Sequence, residues 1–581
     1  MKAIRLTAAL LLAVFLLCGC VTKPSSSTDY SAVILQVRNF ITERMPQDQV
    51  TGMAIALVEG SKVVWSEGFG YADKENNISA KPDTIFEIGS VSKTLATMAV
   101  LRLLDAGKLG LDDPLAKYIP GFGINQRFPD SEPITIRSVL THHSGLPTDI
   151  FIGSFTVGQP NNGFTDWLVG YLVQEYTSNP VGYSFAYSNT AFAMLHKVIE
   201  NASGNTLAQV TGEMFDLMGM SDTTFGLKAL PAEKTSKAYF LGKPVVTTYT
   251  NIYTAGSVRS TVLDMAKYIS VLLAGGGDVL KAGTVKEMFT VQNTGSQVDD
   301  NARHGLCFFL SDSELDYAGK LAWHNGATVD QTAHMELLLD QGLGVIVLTN
   351  SATGSGLAGE AARMALKLAL EVKKGIKPLV PSPMPDSKEA LPPAGLIDSL
   401  TGFYVGESLP VTVVSDGGGI KLIKADTEMK LIYLENNRWK NEENTHQFEF
   451  RKVGQDVILF VWGTPDDNER YGKLFLPAAL SAAWQARLGD WEIVNMPADD
   501  SSNFVPEALA LVKKKVTLGL WNGALIMDGA LRTEMLIDPQ TDTLAFTAGI
   551  GRNRGESVQI LIEGGEEILL QSGCMYRKVK N

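Results

Sequence analysis

Cysteine is scarce in this chain: four residues in 581, with two of them, Cys18 and Cys20, in the first twenty. That excludes a disulfide-rich scaffold, and nothing in the sequence supports a bridge between the remaining pair, Cys307 and Cys574. Metal-ligand spacing is also missing. The one close histidine pair, His142-His143, would point apart on most backbones, so no metal and no cofactor is expected. Lys/Arg-rich runs with interleaved aromatics are absent, and the formal charge of −13 disfavours polyanions; a nucleic-acid partner is therefore not expected. The apolar run Leu6–Leu17 is too short to span a bilayer comfortably.

What is present at the N-terminus is a targeting pattern. Lys2 and Arg5 precede the apolar run, which ends in Leu17-Cys18-Gly19-Cys20. This resembles the lipobox of bacterial lipoproteins, in which a small residue precedes the Cys that receives the lipid. Cys20 fits because Gly19 stands before it. The resemblance implies a signal peptide over 1–20, a tether over 21–30 and attachment to the cell envelope through a lipid on Cys20. Val21, rather than Asp, points by the same resemblance to the outer membrane of a Gram-negative host. A simple cleaved secretory signal is the alternative.

The length implies several domains. From Tyr30 to about Lys374, α and β signals mix. Thr51–Val58 and Lys62–Tyr71 read as a hairpin about Glu59-Gly60-Ser61. Ser90–Ala106 has helical apolar spacing, Ala333–Leu339 and Leu343–Leu348 read as strands, and Gly359–Leu370 reads as a closing helix. This order predicts an α/β (α+β) domain: an antiparallel sheet with helices packed on it and a helical subdomain. The proline-rich stretch 376–398 reads as a semi-rigid surface linker. Beyond it the pattern is all β. Gly402-Phe403-Tyr404 and Gly489-Asp490-Trp491 each open a strand–glycine turn–strand unit, predicting two small barrels over 399–485 and 486–581, with one larger β domain as the alternative. Trp491 and Trp521 are expected to fill β cores rather than to bind sugar. The Gly275-Gly276-Gly277 run lacks the spacing and lysine of a phosphate loop.

Ser90-Val91-Ser92-Lys93 is the one place where Lys follows Ser by three residues. On a helix such positions are neighbours, so hydroxyl and amine share a face. A hydroxyl needs a base to become a nucleophile, and a partly buried lysine can be neutral enough to serve. Ser90 at the helix start would also meet free amides and the favourable end of the dipole. Alone, the motif reads more readily as a capping serine with a solvated lysine one turn later, because serine leads the N-cap preferences.

The context changes that reading. Phe86–Lys93, Gly107–Leu115 and Ile134–Pro147 resemble class C β-lactamases and the related esterases, D-aminopeptidases and D-alanyl-D-alanine peptidases. The resemblance spans roughly 31–375. It implies a penicillin-binding-protein-like serine hydrolase of β-lactamase/transpeptidase-like fold, with Ser90 acylated and Lys93 activating it. The family's second motif, Tyr-x-Asn, is matched by Tyr187-Ser188-Asn189. Tyr187 would shuttle the proton, and Asn189 would bond both Lys93 and a substrate amide. Where many β-lactamases have Lys-Thr-Gly, this chain has His324-Asn325-Gly326, which resembles the esterase and D-aminopeptidase branches. Gly326 would admit substrate close to the strand, and the amides of Ser90 and Ala327 would form the oxyanion hole.

A lysine at the third motif is a permanent cation for a substrate carboxylate, whereas His324 is mostly neutral at pH 7. Weak or absent cephalosporin turnover is therefore expected. The reading is an envelope-anchored hydrolase of esters, amides or D-residue peptides. Its alternatives are a non-catalytic protein that binds or senses cell-wall fragments, a protein whose β tail dominates function by binding another envelope component, and a β-lactamase. Three-part D-aminopeptidases in this family also carry two lipocalin-like barrels. His142 and His143 are expected beneath the site, and Cys307 in inert core.

Overall fold

The computed structural model describes residues 28–378, 380, 383–464, 467–528 and 534–580. The lipobox, Cys20 and most of the tether lie outside them. In chain order, the elements that frame the catalytic region are α1 (Ser31–Gln47), β1 (Gly52–Glu59), β2 (Lys62–Asp73), β3 (Ile78–Ser79), α2 (Ser92–Asp105), α3 (Asn189–Ser203), α4 (Val262–Leu273), β4 (Leu321–Ala327), β5 (Thr332–Leu338), β6 (Leu343–Thr349) and α5 (Ser355–Lys374). The strands form one antiparallel sheet in the order β4-β5-β6-β1-β2-β3.

The period-2 alternation of strands sorts the core into two layers. Met53, Ile55 and Leu57 of β1, with Val345 and Val347 of β6, bury against α1 and α5. Ala54, Ala56 and Val58, with Ile346 and Leu348, face α2 and α4 on the other side. Gly344 is small for a reason: a Cβ there would stand 2.5 Å from Cγ2 of Ile269, so α4 rests directly on the strand backbone. The α/β class and the element order agree with the sequence reading. One detail differs: Ser90 does not begin the α-helix but sits in a 3-10 turn, Gly89–Val91, that leads into α2.

Two closed eight-stranded barrels follow, Gly402–Phe475 and Gly489–Lys578. The single-barrel alternative is thereby set aside. Tyr404, Val411, Ile420, Trp439 and Phe448 fill the first. Trp491 is fully buried among the apolar residues of the second. Trp521 does not fill a lumen. Its ring packs 5.1 Å from that of Phe403, at the contact between the barrels. The proline-rich segment is not a free linker either, because Lys388 and Ala390 pair with Glu435 and Tyr433 along the first barrel. Cys307 and Cys574 are buried and unbridged.

Neither barrel hangs free. The second shares its apolar core with the catalytic region, and a Cβ at Gly555 would stand 2.2 Å from the carbonyl oxygen of Ser178. The first meets the catalytic region through Val298, Phe460 and Trp462. Among the described residues no helix is long and apolar enough to cross a membrane.

Gly549 marks the seam between the barrels, with φ at +105° and a virtual Cβ 2.6 Å from the carbonyl oxygen of Val405. Gly549→Ala is expected to lose about 1–3 kcal/mol through backbone strain alone, more with the overlap. A urea midpoint equal to wild type would contradict this account of the seam.

Candidate functional site

The site lies where the start of α2, the start of α3 and the last residues of β4 converge. The turn that carries Ser90 touches β4 backbone to backbone, through two glycines. A Cβ at Gly89, where φ is +50°, would stand 2.5 Å from the nitrogen of Ala327. A Cβ at Gly326 would stand 2.0 Å from the oxygen of Ile88 and 2.9 Å from the nitrogen of Ser90. The amides of Ser90 and Ala327 are thus brought side by side, a pair suited to stabilising an oxyanion.

Lys93, one turn after Ser90, is completely buried. Its Nζ donates to Ser90 Oγ at 3.1 Å, Asn189 Oδ1 at 2.7 Å and the Ala255 carbonyl at 2.7 Å. Ser92, between them in the motif, accepts a hydrogen bond from the amide of Val258 at 2.9 Å and so ties the Ala255 segment to α2. Burial lowers the Lys93 amine to about 7. Burial raises Tyr187, which also interacts with the Ser90 hydroxyl, well above the usual phenol range. At neutral pH the site therefore pairs a substantially neutral amine with a protonated phenol, and the serine hydroxyl adjoins both.

Tyr187 sits on the segment preceding α3, and that segment is clamped. His142 stacks on the Tyr187 ring at 4.3 Å and accepts from the amide of Ser188 at 3.0 Å. His143 Nε2 lies 2.7 Å from Asp299, which accepts from the amide of Phe185 at 2.9 Å. Arg470, from the first barrel, bonds Asp299 at 3.2 Å, Ser184 Oγ at 2.5 Å and the Phe185 carbonyl at 3.1 Å. Both histidines therefore support the tyrosine from beneath.

His324 is fully buried, and burial lowers it to about 3. Its Nδ1 lies 2.5 Å from the Asn325 carbonyl, while Nε2 has no protein partner. The ring, 6.1 Å from Tyr187 between centroids, is a neutral hydrogen-bonding group and not a cation. Cys307 is buried, with its thiol pushed up to about 12, as inert core. Among the described residues, no cluster of His, Cys, Asp or Glu could hold a metal.

Sequence reasoning missed a second set of residues. Asp149, fully buried, accepts from Asn189 Nδ2 at 2.7 Å. Its other oxygen pairs at 2.5 Å with Nε of Arg552, which arrives from a loop of the second barrel. The Arg552 guanidinium lies 5.1 Å over the Tyr187 ring. The tail thus covers one side of the site. On the other side, a cavity of about 1550 Å3 opens between the first barrel and the catalytic region, with Trp323 and Phe309 on one wall and Val411, Leu422 and Phe448 on the other. The Phe309 ring is 5.7 Å from His324. No motif could have exposed Arg552 or Arg470, since their partners lie hundreds of residues away.

Sheet, helices and the placing of the serine turn against the sheet edge define the β-lactamase/transpeptidase-like class of folds. Residues 37–369 match the family described as Beta-lactamase, and the chain belongs to that family. Among curated proteins it is 31% identical over 191 residues to Protein flp of Staphylococcus aureus strain MW2, covering 33% of this chain and 38% of that protein. It is 26% identical over 277 residues to the putative penicillin-binding protein PbpX of Bacillus subtilis strain 168, covering 46% of this chain and 64% of that one. These matches span less than two thirds of those relatives' own length. The octameric penicillin-binding protein homologue from Pyrococcus abyssi superposes with TM-score 0.51 at 22% identity, covering 76% of this chain and 98% of that one. The structure of SurE superposes with TM-score 0.55 at 20% identity, covering 77% and 99%. Both likenesses concern the fold.

Gly326→Ala is expected to separate the two amides and to lower kcat at least ~100-fold, the scale of losing one oxyanion donor. Steady-state ester hydrolysis checks this; a rate within a few-fold of wild type would remove the amide pair from the chemistry.

Proposed function

We propose that this protein is an envelope-anchored serine hydrolase that acts through a covalent acyl-Ser90 intermediate on esters, amides or D-residue-containing peptides. The observation that carries the proposal is the buried Lys93 amine in hydrogen-bond contact with Ser90 Oγ at 3.1 Å, beside the amides of Ser90 and Ala327. Lys93 takes the hydroxyl proton as Ser90 attacks the carbonyl, and the two amides hold the oxyanion. Tyr187, still protonated at neutral pH, passes its proton to the leaving group; its phenolate then takes a proton from the water that attacks the acyl ester, and Lys93 returns a proton to Ser90 Oγ as the acid leaves. Asn189, held from one side by Lys93 and from the other by Asp149, presents its amide beside the nucleophile. The large cavity beside Phe309 and Trp323 gives room for an extended substrate group.

β-Lactam hydrolysis is a secondary expectation. His324 is neutral, and Arg552, whose guanidinium lies over Tyr187, is already neutralised by Asp149. Nitrocefin turnover is therefore expected to be slow, and rapid turnover would overturn that part of the reading. Anchoring through Cys20 rests on the sequence pattern; Cys20→Ala should release the protein from the membrane fraction.

The deciding test uses an activated short-chain ester and the protein lacking residues 1–20. Ser90→Ala should abolish turnover, and the wild-type protein should gain an acyl mass on Ser90. Because the active form of Lys93 is the free amine, kcat/KM should rise with pH through about 7 and fall off below it. Equal turnover in wild type and Ser90→Ala would dismiss the mechanism.

A further inference from the structure

A continuous chain of hydrogen bonds leads from the second barrel to the nucleophile. Arg552 Nε pairs with Asp149 Oδ2 at 2.5 Å, and Arg552 Nη2 with Asp149 Oδ1 at 3.1 Å. Asp149 Oδ1 accepts from Asn189 Nδ2 at 2.7 Å, Asn189 Oδ1 accepts from Lys93 Nζ at 2.7 Å, and Lys93 Nζ lies 3.1 Å from Ser90 Oγ. Asp149 thereby settles which way the Asn189 amide faces: with its NH2 on a carboxylate, its oxygen must face Lys93. Resting on the mechanism proposed above, we infer that Arg552 is a positioning residue of the active site, supplied by the second barrel, which neutralises Asp149 so that Lys93 can act as a free amine near neutral pH.

The geometry around Arg552 fits such a role. The loop is locked: its Asn553 amide donates to Thr148 Oγ1 at 2.9 Å, and the Thr148 amide donates to buried Glu556 at 2.7 Å. The Arg552 amide bonds Glu407 of the first barrel at 3.1 Å, and a Cβ at Gly551 would stand 2.6 Å from Cγ of Glu407. Both barrels therefore set the position of one guanidinium.

The sign follows from electrostatics. A fully buried carboxylate without its cation is costly. Left unpaired beside Asn189, it would favour the ammonium form of Lys93 and oppose proton removal from Ser90. The other groups that act on Lys93 do not substitute for Arg552. Cys307 stays a thiol, Tyr187 a phenol, and His142 and His324 are held neutral by burial. Burial is the main force lowering the amine; on top of it Arg552 lowers and Asp149 raises it, so removing the guanidinium leaves the carboxylate unopposed.

The test is a pH titration of Lys93, followed by the 13Cε resonance assigned with Lys93→Arg, in the full soluble protein and in Arg552→Gln, Arg552→Lys and the Asp149→Asn/Arg552→Gln double variant. Arg552→Gln is expected to move the Lys93 midpoint upward by about one pH unit or more. Arg552→Lys should restore much of the wild-type midpoint, and the double variant should move it back down. Ester kcat/KM should follow, with the acid limb displaced upward and the alkaline plateau largely preserved. An unchanged midpoint in a folded Arg552→Gln protein would overturn the inference, as would a rate loss equal at every pH. The resonance reports on the relay without turnover, so an inactive wild-type enzyme would count against the acyl-Ser90 mechanism alone.

Discussion

The constraint on which the site depends is the burial of Lys93. An amine enclosed completely, with its amino nitrogen directed at a serine hydroxyl, an amide oxygen and a backbone carbonyl, gives up hydration that three neutral acceptors only partly replace. Holding it near 7 rather than 10.5 costs on the order of 4 kcal/mol at neutral pH. The sign is that of a depressed amine: below about 7 the cost is full, and it fades as pH rises towards 10.5, where the unfolded chain also loses the proton. Fold stability is given up to keep an amine beside Ser90. The sheet, α2 and the Ala255 segment together supply the rigidity that makes this geometry stable.

That demand explains why so much backbone is pressed together around one turn. Gly89 and Gly326 permit a contact that any side chain would prevent, and Ser92 anchors the carbonyl that receives the lysine. It also gives the barrels a physical role. Arg470 of the first barrel fixes the segment carrying Tyr187, and Arg552 of the second compensates the carboxylate that orients Asn189. Each barrel contributes a guanidinium to a carboxylate that is almost wholly enclosed, Asp299 or Asp149. Those carboxylates would be expensive in a catalytic region standing alone. Removing the tail would therefore disturb the site as well as the surface around it.

The sequence was legible where chemistry is written in short spacing. Ser90-x-x-Lys93, Tyr187-x-Asn189 and His324-x-Gly326 each place their side chains by local geometry, and the structure brings all three segments together. The sheet was legible because β1 and β6 are near-continuous apolar runs bounded by turns. Barrel number could be read from the two glycine–aromatic openings. Illegible were the partners that no local rule connects: the Ala255 carbonyl, which any residue type could supply, and Asp149 with Arg552, 403 residues apart. Trp521 misled for a related reason, since an aromatic in a β unit packs equally well in a lumen or against a neighbouring barrel.

The two sides of the site have opposite physical character, and that asymmetry bears on substrate choice. Towards the second barrel, Arg552, Asp149 and Thr148 form a polar wall cross-bonded into a tightly turned loop, with positive φ at Gly549, Gly551 and Asn553. Such a wall resists displacement, because moving it leaves the buried Asp149 carboxylate without its cation. Towards the first barrel, the aromatic rings of Phe309 and Trp323, stacked at 4.5 Å, face a large cavity whose far wall mixes Val411, Leu422 and Phe448 with Lys424, His446 and Glu469. A substrate seated with its carbonyl between the Ser90 and Ala327 amides would extend most easily in the second direction. Selectivity on the closed side would be for small groups, and on the open side for bulk.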